Sequence, residues 1–575
     1  MPTTRKTPSA LLKLLAPLAL SAGAMGVTLP STPASACGGL FCNPVSPVNQ
    51  QAERILFVQD PEDPSLMQMH VRLNYTGDAD AFSWLLPVPP NTDFDISREA
   101  MFSVLDNQFG PIFTLNRVTE GDCDFDERNF AAPSADGAVQ ESGGDPNAGG
   151  VQVTAREEVG PYDMVRIRAT DVSELIEWLE DNDFTQPEGS EAVLEPYLED
   201  YEFLAIKLRN DADDNSVTPV MLTFTGDMPT IPMRPTSVAA NDDMGVIVHL
   251  LGDHRAMPSN YAHVEVNDAL IDWQGGGGNY SDVVSHAVDA TGDGHGFVTD
   301  FAGEHNVGNF LRAVSDELIE RIGMATTIEH LSELIEELAY QGYLSDRDFS
   351  VFFRQALIDA ELDAELVSSL LNFSVFCEFG DCFPEEVEVP EEWAELPFAS
   401  QLLVDSIIDY NETNEQIHNA FQARSYLTRL YTTLNASEMD VDPSFVFNQD
   451  LNDRVVPQTR TATLYQTCEG EPIRIVTPNN LEVNLESGDA PVIERQAGET
   501  VRGTDELGAA VIERAMAAGQ TMITTDNRPA LEERFAPPVG EESNLLGCEQ
   551  GAPEMSWLAL ALGLLISAFR RRQTA

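Results

Sequence analysis

The chain has 575 residues, and its 95 Asp and Glu against 32 Lys and Arg give a formal net charge of −63. Hydrophobic residues make up 43% of it, which is enough for several packed cores and excludes general disorder. A field of this sign repels phosphate backbones, so nucleic acid is excluded as a partner. The sequence lacks the common motifs of phosphate-binding, dinucleotide-binding, zincin and serine-hydrolase sites. It therefore indicates no particular reaction.

Residues 1–36 have the pattern of a secretory signal peptide. Three basic residues lie in the first 13 positions, the run from Leu11 to Leu20 is mostly apolar, and a small-residue cleavage pattern ends at Ala36. We therefore expect an exported protein that is processed by signal peptidase. Cleavage after Ala36 leaves Cys37 at the new N-terminus, where it is either disulfide-bonded, the interpretation that we favour, or lipidated.

Short strands dominate the next region, 37–304, which predicts a mixed α+β unit. Residues 53–59 and 67–75 have strand patterns, and a third apolar strand from Phe82 is stopped by prolines. The small polar residues of 131–150 predict a flexible loop, because they can bury too little surface to offset the entropy of ordering. Asp171 is placed to cap a helix. Further strand patterns cover 154–170, 201–209, 218–225 and 243–251.

The pattern changes near 305, where apolar residues begin to repeat at helical spacing. This spacing predicts a helical region over 305–435. Short strands return in a β-rich region over 436–525, together with one helix over 506–518, and 526–554 reads as a linker. The predicted fold class is α+β: a short-stranded mixed β region with a helical middle segment, stapled by disulfides.

The C-terminal segment 555–572 combines an apolar run of fifteen residues with three final arginines. Fifteen residues of helix span about 22 Å, which is short of a ~30 Å hydrocarbon core. One interpretation is a weak transmembrane anchor. The other is a sorting tag processed near Cys548, because the Gly-Cys pair, short apolar helix and arginines resemble the tags of myxobacterial-type surface proteins. Either way, we expect sorting or signal peptidase machinery and a membrane as partners, with the protein anchored in the envelope or on the surface of a Gram-negative bacterium.

The cysteine count points to an oxidising compartment. Six cysteines remain when Cys548 is set aside, and an even number in an exported chain predicts up to three disulfides. Two pairs share C-x4-C spacing. Among the 15 pairings that six cysteines allow, we predict Cys37–Cys42, Cys377–Cys382 and Cys123–Cys468. The alternative is one four-thiolate zinc site built from the two C-x4-C pairs, which an oxidising compartment disfavours.

The segment 289–300 has part of the pattern of an EF-hand calcium loop. Its candidate ligands are Asp289, Thr291, Asp293, the carbonyl of His295 and Asp300, with Gly294 at the sharp turn. The alternative is a glycine-rich hairpin turn, which we favour because the last position holds Asp rather than Glu and no helix pair flanks the segment. No cofactor is predicted, with calcium at this segment as the alternative. Six of the nine histidines lie within the 57 residues 249–305, but their spacing fits no metal site.

Several short motifs between residues 36 and 443 form a specific set. They are Ala36-Cys-Gly-Gly-Leu-Phe-Cys42, Tyr75-Thr-Gly-Asp-Ala-Asp-Ala-Phe-Ser-Trp-Leu-Leu-Pro-Val-Pro89, Val159-Gly-Pro-Tyr162, Ala169-Thr-Asp171 to Trp178-Leu179, Ile231-Pro-Met-Arg234, Asp243-Met-Gly-Val246, Gly296-Phe-Val-Thr-Asp-Phe-Ala-Gly303, Tyr426-Leu-Thr-Arg-Leu-Tyr-Thr-Thr-Leu434 and Asp442-Pro443. The set resembles the bacterial proteins catalogued as domain of unknown function 2330 and spans about 37–455. The resemblance implies an exported protein without established activity, so no catalytic residue is carried over.

Two functions are expected from these observations. The first is a non-enzymatic binding or surface-architecture protein in the envelope, with an unknown extracellular ligand. The alternative is an envelope hydrolase with a dispersed site of histidines and carboxylates. A deep cleft lined by the clustered histidines or by buried acids favours the enzyme, whereas a shallow acidic surface favours the binding protein.

Overall fold

The computed structural model describes a defined part of the chain, and all structural statements concern that part. It comprises residues 52–60, 63, 65–72, 83–120, 152–182, 184, 189–209, 217–226, 228–238, 240–308, 311–371, 375–378, 381–384, 389, 391–448, 455–485, 507–516 and 520–535. The strands are β1 Ala52–Gln59, β2 Leu66–Arg72, β3 Ser83–Val88, β4 Asp93–Ile96, β5 Ile112–Thr119, β6 Gln152–Val159, β7 Tyr162–Arg168, β8 Glu202–Leu208, β9 Val220–Thr225, β10 Met244–Gly252, β11 Ala256–Pro258, β12 Ala262–Val266, β13 Gly296–Glu304, β14 Val375–Glu378, β15 Asp381–Pro384, β16 Tyr426–Leu434, β17 Phe445–Phe447, β18 Thr459–Gln466, β19 Pro472–Val476, β20 Glu482–Asn484, β21 Ala509–Ala515 and β22 Thr521–Asp526. The helices are α1 Glu99–Phe109, α2 Val172–Asp181, α3 Ser190–Leu194, α4 Tyr280–Asp289, α5 Asp316–Met324, α6 Ile328–Tyr340, α7 Arg347–Asp359, α8 Ala364–Leu371, α9 Glu391–Ala394, α10 Ser400–Ala423 and α11 Arg528–Phe535.

A ten-stranded mixed sheet is the largest element of the described structure. Its order is β22-β21-β12-β13-β16-β10-β1-β2-β9-β4, so β22 and β4 are its edges. The pairs β1–β10 and β12–β13 are parallel, and the remaining pairs of this sheet are antiparallel. Two four-stranded sheets accompany it, in the orders β3-β8-β7-β6 and β20-β19-β18-β5. The prediction of mixed α and β structure is confirmed.

The two faces of the ten-stranded sheet bury different partners. All nine residues of β10 are buried, as expected for a strand covered on both faces. On one face Ile55 and Phe57 of β1 join the core formed with Trp84 and Tyr162 of the β3-β8-β7-β6 sheet. On the other face, Leu56 packs with residues of α1 and of the C-terminal half of α10. The sheet is therefore a layer between a second sheet and helices.

Helices α5 to α8 and the N-terminal half of α10 form a separate hydrophobic cluster. An N-cap residue precedes each of α5, α6 and α7, and its side chain accepts a hydrogen bond from a backbone N–H of the first turn. These residues are Ser315, Thr327 and Asp346. The 24 residues of α10 extend about 36 Å. Its Ile407 packs in the helical cluster and its Phe421 packs under the sheet. One helix thereby fixes the helical unit against the sheet.

Three secondary-structure predictions were wrong. The helical region ends with α10 at Ala423, and 426–434 is β16, which lies between β10 and β13 in the ten-stranded sheet. The predicted helix at 506–518 is strand β21, which pairs with β12. The predicted linker contains helix α11. In each case long-range pairing or packing outweighs the local pattern, so the sheet draws strands from three of the predicted regions.

Of the six cysteines in the predicted disulfides, Cys377, Cys382 and Cys468 lie within the described residues. Cys468 is disulfide-bonded. The register of β18 with β5 sets Gln466 opposite Thr119, which brings the chain near Cys468 alongside the chain that leads to Cys123. In the β14–β15 hairpin Cys377 lies opposite Cys382, a spacing that a disulfide can span. The three pairings stay predictions.

The predicted signal peptide, the 131–150 loop, the segment 555–572 and the processing residues Ala36 and Cys548 lie outside the described residues, as do Cys37, Cys42 and Cys123. Within the described ranges, no helix combines the length and apolar character needed to cross a bilayer.

Candidate functional site

A cleft of about 370 Å³ lies along the edge of β4. Three successive residues of this strand, Phe94, Asp95 and Ile96, line it. Because side chains of a strand alternate between the two faces of a sheet, a cavity lined by three residues in a row must lie at the edge of the strand. The cleft is therefore open to the edge of the ten-stranded sheet.

The two walls of the cleft come from the two layers that cover the sheet. One wall is the turn between β6 and β7, and the other is formed by α7 and α10. Gly160 in the turn has φ +55°, and a Cβ on it would lie 1.9 Å from Cδ1 of Ile96. Any other residue here would displace the Ile96 side chain and strain the left-handed backbone, so glycine suits this close approach of the turn to β4. The sandwich and the helical unit thus meet at this cleft.

Arg98 lies at the base of the cleft, where β4 leads into α1, and is 4% exposed. Its Nε donates to Oδ1 of Asn414 at 2.7 Å, and its guanidinium carbon lies 4.3 Å from the centre of the Tyr410 ring. Both partners belong to α10. Arg98 therefore fastens the start of α1 to α10, and its charge is already engaged within the protein.

Five carboxylates line the cleft, namely Asp95, Glu158, Asp348, Asp359 and Asp409. Asp348 of α7 accepts the backbone N–H groups of Glu99 at 2.7 Å and Ala100 at 2.6 Å, so it caps α1 from a different helix. Burial nevertheless raises the pKa of Asp348 to about 6. Burial also raises the pKa of Asp409, and the nearby acids Glu412, Asp95 and Asp405 add to the effect. Perturbed carboxyls in a cleft mark a candidate functional site.

The rim of the cleft holds one more cation. Arg209 Nη1 lies 2.7 Å from Asp359 and 3.7 Å from Glu158. It offsets part of the charge of the two outer carboxylates. Within the described residues, no arginine forms an ion pair with Asp95 or Asp409 of the lining. The hydroxyl of Thr413 donates a hydrogen bond to Asp95 at 3.4 Å. The described lining is therefore acidic in balance.

The cleft has poor chemistry for nucleophilic catalysis. Its described lining contains no histidine and no cysteine. The hydroxyl of Ser97 lies 2.8 Å from Nδ1 of His70, but Ser97 is 0% exposed. Burial, assisted by Arg98, lowers the pKa of His70 to about 3. A general base works best with a pKa near the working pH, so His70 is a weak base for acyl transfer.

The six clustered histidines do not converge on the cleft. His263 comes nearest to a catalytic arrangement, with Nδ1 2.8 Å from Glu513 and Nε2 2.8 Å from the Thr299 hydroxyl. Thr299 is only 5% exposed, and Arg255 lies 3.2 Å from the same hydroxyl. These contacts join β12, β13 and β21 in the sheet. Their burial assigns them to strand association rather than to reaction with a substrate.

The candidate calcium ligands are divided between two places. Thr291 donates to Asp293 at 2.9 Å, the backbone N–H of His295 donates to it at 3.1 Å, and Arg514 lies 3.0 Å from it. Asp289 is the last residue of α4 and is buried. Asp300 lies within β13, about 13 Å along the strand from its first residue, Gly296. Calcium stays the alternative to the favoured hairpin turn, and the described residues contain no group of three or more His, Cys, Asp or Glu suited to a metal ion.

Asp300 belongs to a buried ionic cluster instead of the loop. It is 0% exposed, accepts the Tyr280 hydroxyl at 2.5 Å, and pairs with Arg429. Arg460 lies 3.8 Å away. Asp300 and Arg429 belong to two of the short motifs of the sequence set, and their pairing joins β13 to β16. The cluster explains what these motif residues do in the fold.

Sequence reasoning missed the cleft. Its residues come from separated stretches around 94–98, 158–161, 348–359 and 406–413, and surface acids are common throughout this chain. The one available signal was the Val159-Gly-Pro-Tyr162 motif, whose glycine marks the close approach of a turn to another segment.

These features define a mixed α/β protein with an acidic cleft between a sheet sandwich and a helical unit. Residues 31–334 match the model of the DUF2330 family, described as an uncharacterized protein conserved in bacteria. The match covers more than half of the chain, so the chain belongs to this family, and the predicted resemblance is confirmed. It includes β4 and the β6–β7 turn but ends before α7 and α10. Comparison with curated proteins and with solved structures finds no match.

Proposed function

We propose that this protein is an exported binding protein of the bacterial envelope and that the cleft at β4 takes a cationic group, an amine or a guanidinium. The observation that supports this proposal most is the charge of the lining. Five carboxylates face one buried arginine that already has its partners within the protein. Burial raises the pKa of Asp409, nearby acids add to the effect, and a cation in the cleft relieves that added repulsion.

The apolar part of the lining suits the same ligand. Phe94 and Phe352 line the cleft together with the carboxylates. Aromatic rings beside acids attract organic cations, because the ring face is electronegative and the hydrocarbon part of the ligand gains apolar contact. The absence of a histidine or cysteine from the described lining supports binding over hydrolysis. The hydrolase alternative has no comparable support.

Replacing Asp409 by asparagine tests the proposal. Agmatine, which carries an ammonium and a guanidinium group, serves as the probe in isothermal titration at physiological salt. Because one carboxylate charge close to the ligand is lost, the affinity of Asp409→Asn is expected to fall about five-fold. Asp405→Asn is the matched control, since it removes the same charge one turn away on α10 but outside the described lining.

The control is expected to bind agmatine within about two-fold of the wild type, because screening weakens charges at the surface. Equal losses in both variants would show that agmatine responds to the overall charge of the chain. No loss in Asp409→Asn, or no agmatine binding by the wild type, contradicts the proposed cleft.

Export and anchoring give a separate expected result. If 1–36 directs export and 555–572 holds the membrane, deletion of 549–575 releases the protein into the periplasm or the medium. Intact-mass analysis of the native protein then distinguishes a permanent anchor, which keeps the C-terminus, from a tag cut near Cys548. Full-length protein in the cytosol with residues 1–36 attached contradicts this part of the proposal.

A further inference from the structure

The backbone of β4 has a defined side that faces away from the sheet. The backbone N–H of Ser97 donates to the carbonyl of Pro219 at 2.7 Å, which extends the antiparallel register of β4 with β9. In such a pair, alternate residues bond to the neighbouring strand and the others point away from it. Asp93 and Asp95 therefore bond towards β9. The N–H and C=O groups of Phe94 and Ile96 point to the edge that the cleft occupies.

One of these outward groups is already satisfied. The N–H of Ile96 donates to Oδ1 of Asp95 at 2.6 Å. The N–H and C=O of Phe94 and the C=O of Ile96 remain directed at the edge. β4 is the last strand in the described order of the sheet, and it is half-buried rather than covered. An edge strand with this geometry is a template for another strand.

We propose that the cleft binds an extended peptide segment that adds a strand to β4 and carries a lysine or arginine side chain. This inference rests on the proposed function, because the carboxylates select the basic side chain. The main chain of the peptide supplies the hydrogen bonds to Phe94 and Ile96. The occupant is therefore a partner protein or peptide with a basic extended segment, not a free amine alone.

The two walls determine which side chains the added strand carries. A strand along β4 alternates its side chains between the two faces of the sheet. Those on one side meet the apolar Val159 and Pro161 of the turn, where the charge of the neighbouring Glu158 is offset by Arg209. Those on the other side meet Asp95, Asp348 and Asp409. The fitting pattern alternates apolar and basic residues over the roughly 13 Å length of four paired residues.

The test uses the full exported chain and the blocked peptide acetyl-Val-Lys-Val-Arg-Val-amide. Two N-methylated isomers serve as matched probes. One is methylated on the backbone nitrogens of the lysine and the arginine, and the other on the backbone nitrogens of the valines at the third and fifth positions. Because only alternate N–H groups of an added strand face β4, one isomer is expected to bind about ten-fold more weakly than the parent. The other isomer is expected to bind nearly as well as the parent, and agmatine is expected to compete with it.

The outcomes separate the inference from the proposed function. Equal affinities of the two isomers overturn strand addition, and so does a parent peptide that fails to bind where agmatine binds. In both cases the cationic cleft itself stands. If neither the peptide nor agmatine binds, the proposed function and the inference both fail.

Discussion

Replacement of Asp300 by alanine is expected to lower the free energy of unfolding by about 3–5 kcal/mol, the usual cost of breaking a buried ion pair. The carboxylate is fully buried, and it receives the Tyr280 hydroxyl together with Arg429. Its loss leaves Arg429 charged, buried and without its acid. Urea unfolding of the two proteins measures the difference, because urea adds no salt to screen the remaining charges.

Asp293→Ala is the matched control for this experiment, because the same EF-hand-like pattern predicted both acids as calcium ligands. The Asp293 side chain is 45% exposed and lies 3.0 Å from Arg514. An exposed pair of this kind contributes less than about 1 kcal/mol. Similar losses in the two variants contradict the assignment of Asp300 to a buried cluster. Stabilisation of the wild type by added calcium, lost in Asp293→Ala, supports the calcium site.

Acid is expected to destabilise the protein through His70. Burial lowers the pKa of His70 to about 3, so the folded chain keeps the ring neutral while the unfolded chain protonates it near pH 6.5. The stability that His70 contributes is therefore complete above pH 6.5 and is lost as the pH falls towards 3. The full loss is about 5 kcal/mol. Burial also lowers the pKa of His249, so this histidine has the same effect on stability in acid.

The contribution of His70 is measured as a difference between proteins, because other groups act in the opposite direction. Burial raises the pKa of Asp348 to about 6 and that of Glu53 to about 7, so both stabilise the folded state as the pH falls. The stability of His70→Gln is expected to fall less steeply between pH 6.5 and 4 than that of the wild type. His330→Gln, at an exposed position of α6, is expected to follow the wild type. Parallel curves for all three proteins would contradict the buried neutral ring.

Local sequence signals predicted the elements that local interactions determine. The strand patterns at 53–59, 67–75 and from Phe82 correspond to β1, β2 and β3. Asp171 caps α2 as expected, since its carboxylate accepts the N–H groups of Ser173 at 2.9 Å and Glu174 at 3.2 Å. The residues that form a helix cap and those that form the apolar face of the helix are close together in the sequence. A local pattern is therefore enough to predict such a helix.

β16 shows why the same approach failed in the middle of the sheet. Leu427, Leu430 and Leu434 repeat at the spacing of a helix, and all three are fully buried. The strand is covered on both faces, so it has no alternation of apolar and polar residues that would indicate a strand. Its pairing with β10 and β13 comes from segments more than 100 residues away in the chain. The periodicity of one segment gives no information about its pairing with such distant segments.

The cleft lay beyond sequence reasoning for a related reason. Asp95 and Asp409 are two of the 95 acidic residues in the chain, and only the fold brings β4 close to α10. Asp300 shows the converse, because its spacing fits a calcium loop, whereas the fold places it in β13 beside Arg429. Spacing along a chain predicts a site only where the ligands come from one continuous loop.

Hydrogen–deuterium exchange of the full exported chain, with and without saturating agmatine, tests the central claim most directly. The ten-stranded sheet provides its own reference, because β4 and β22 are its two edges and only β4 lines the cleft. Slower exchange is expected in β4 and the start of α1, in the β6–β7 turn and in α7 and α10, with no change in β22. Unchanged exchange at β4 under saturating agmatine, or protection confined to β22, would contradict a cation-binding cleft at this edge.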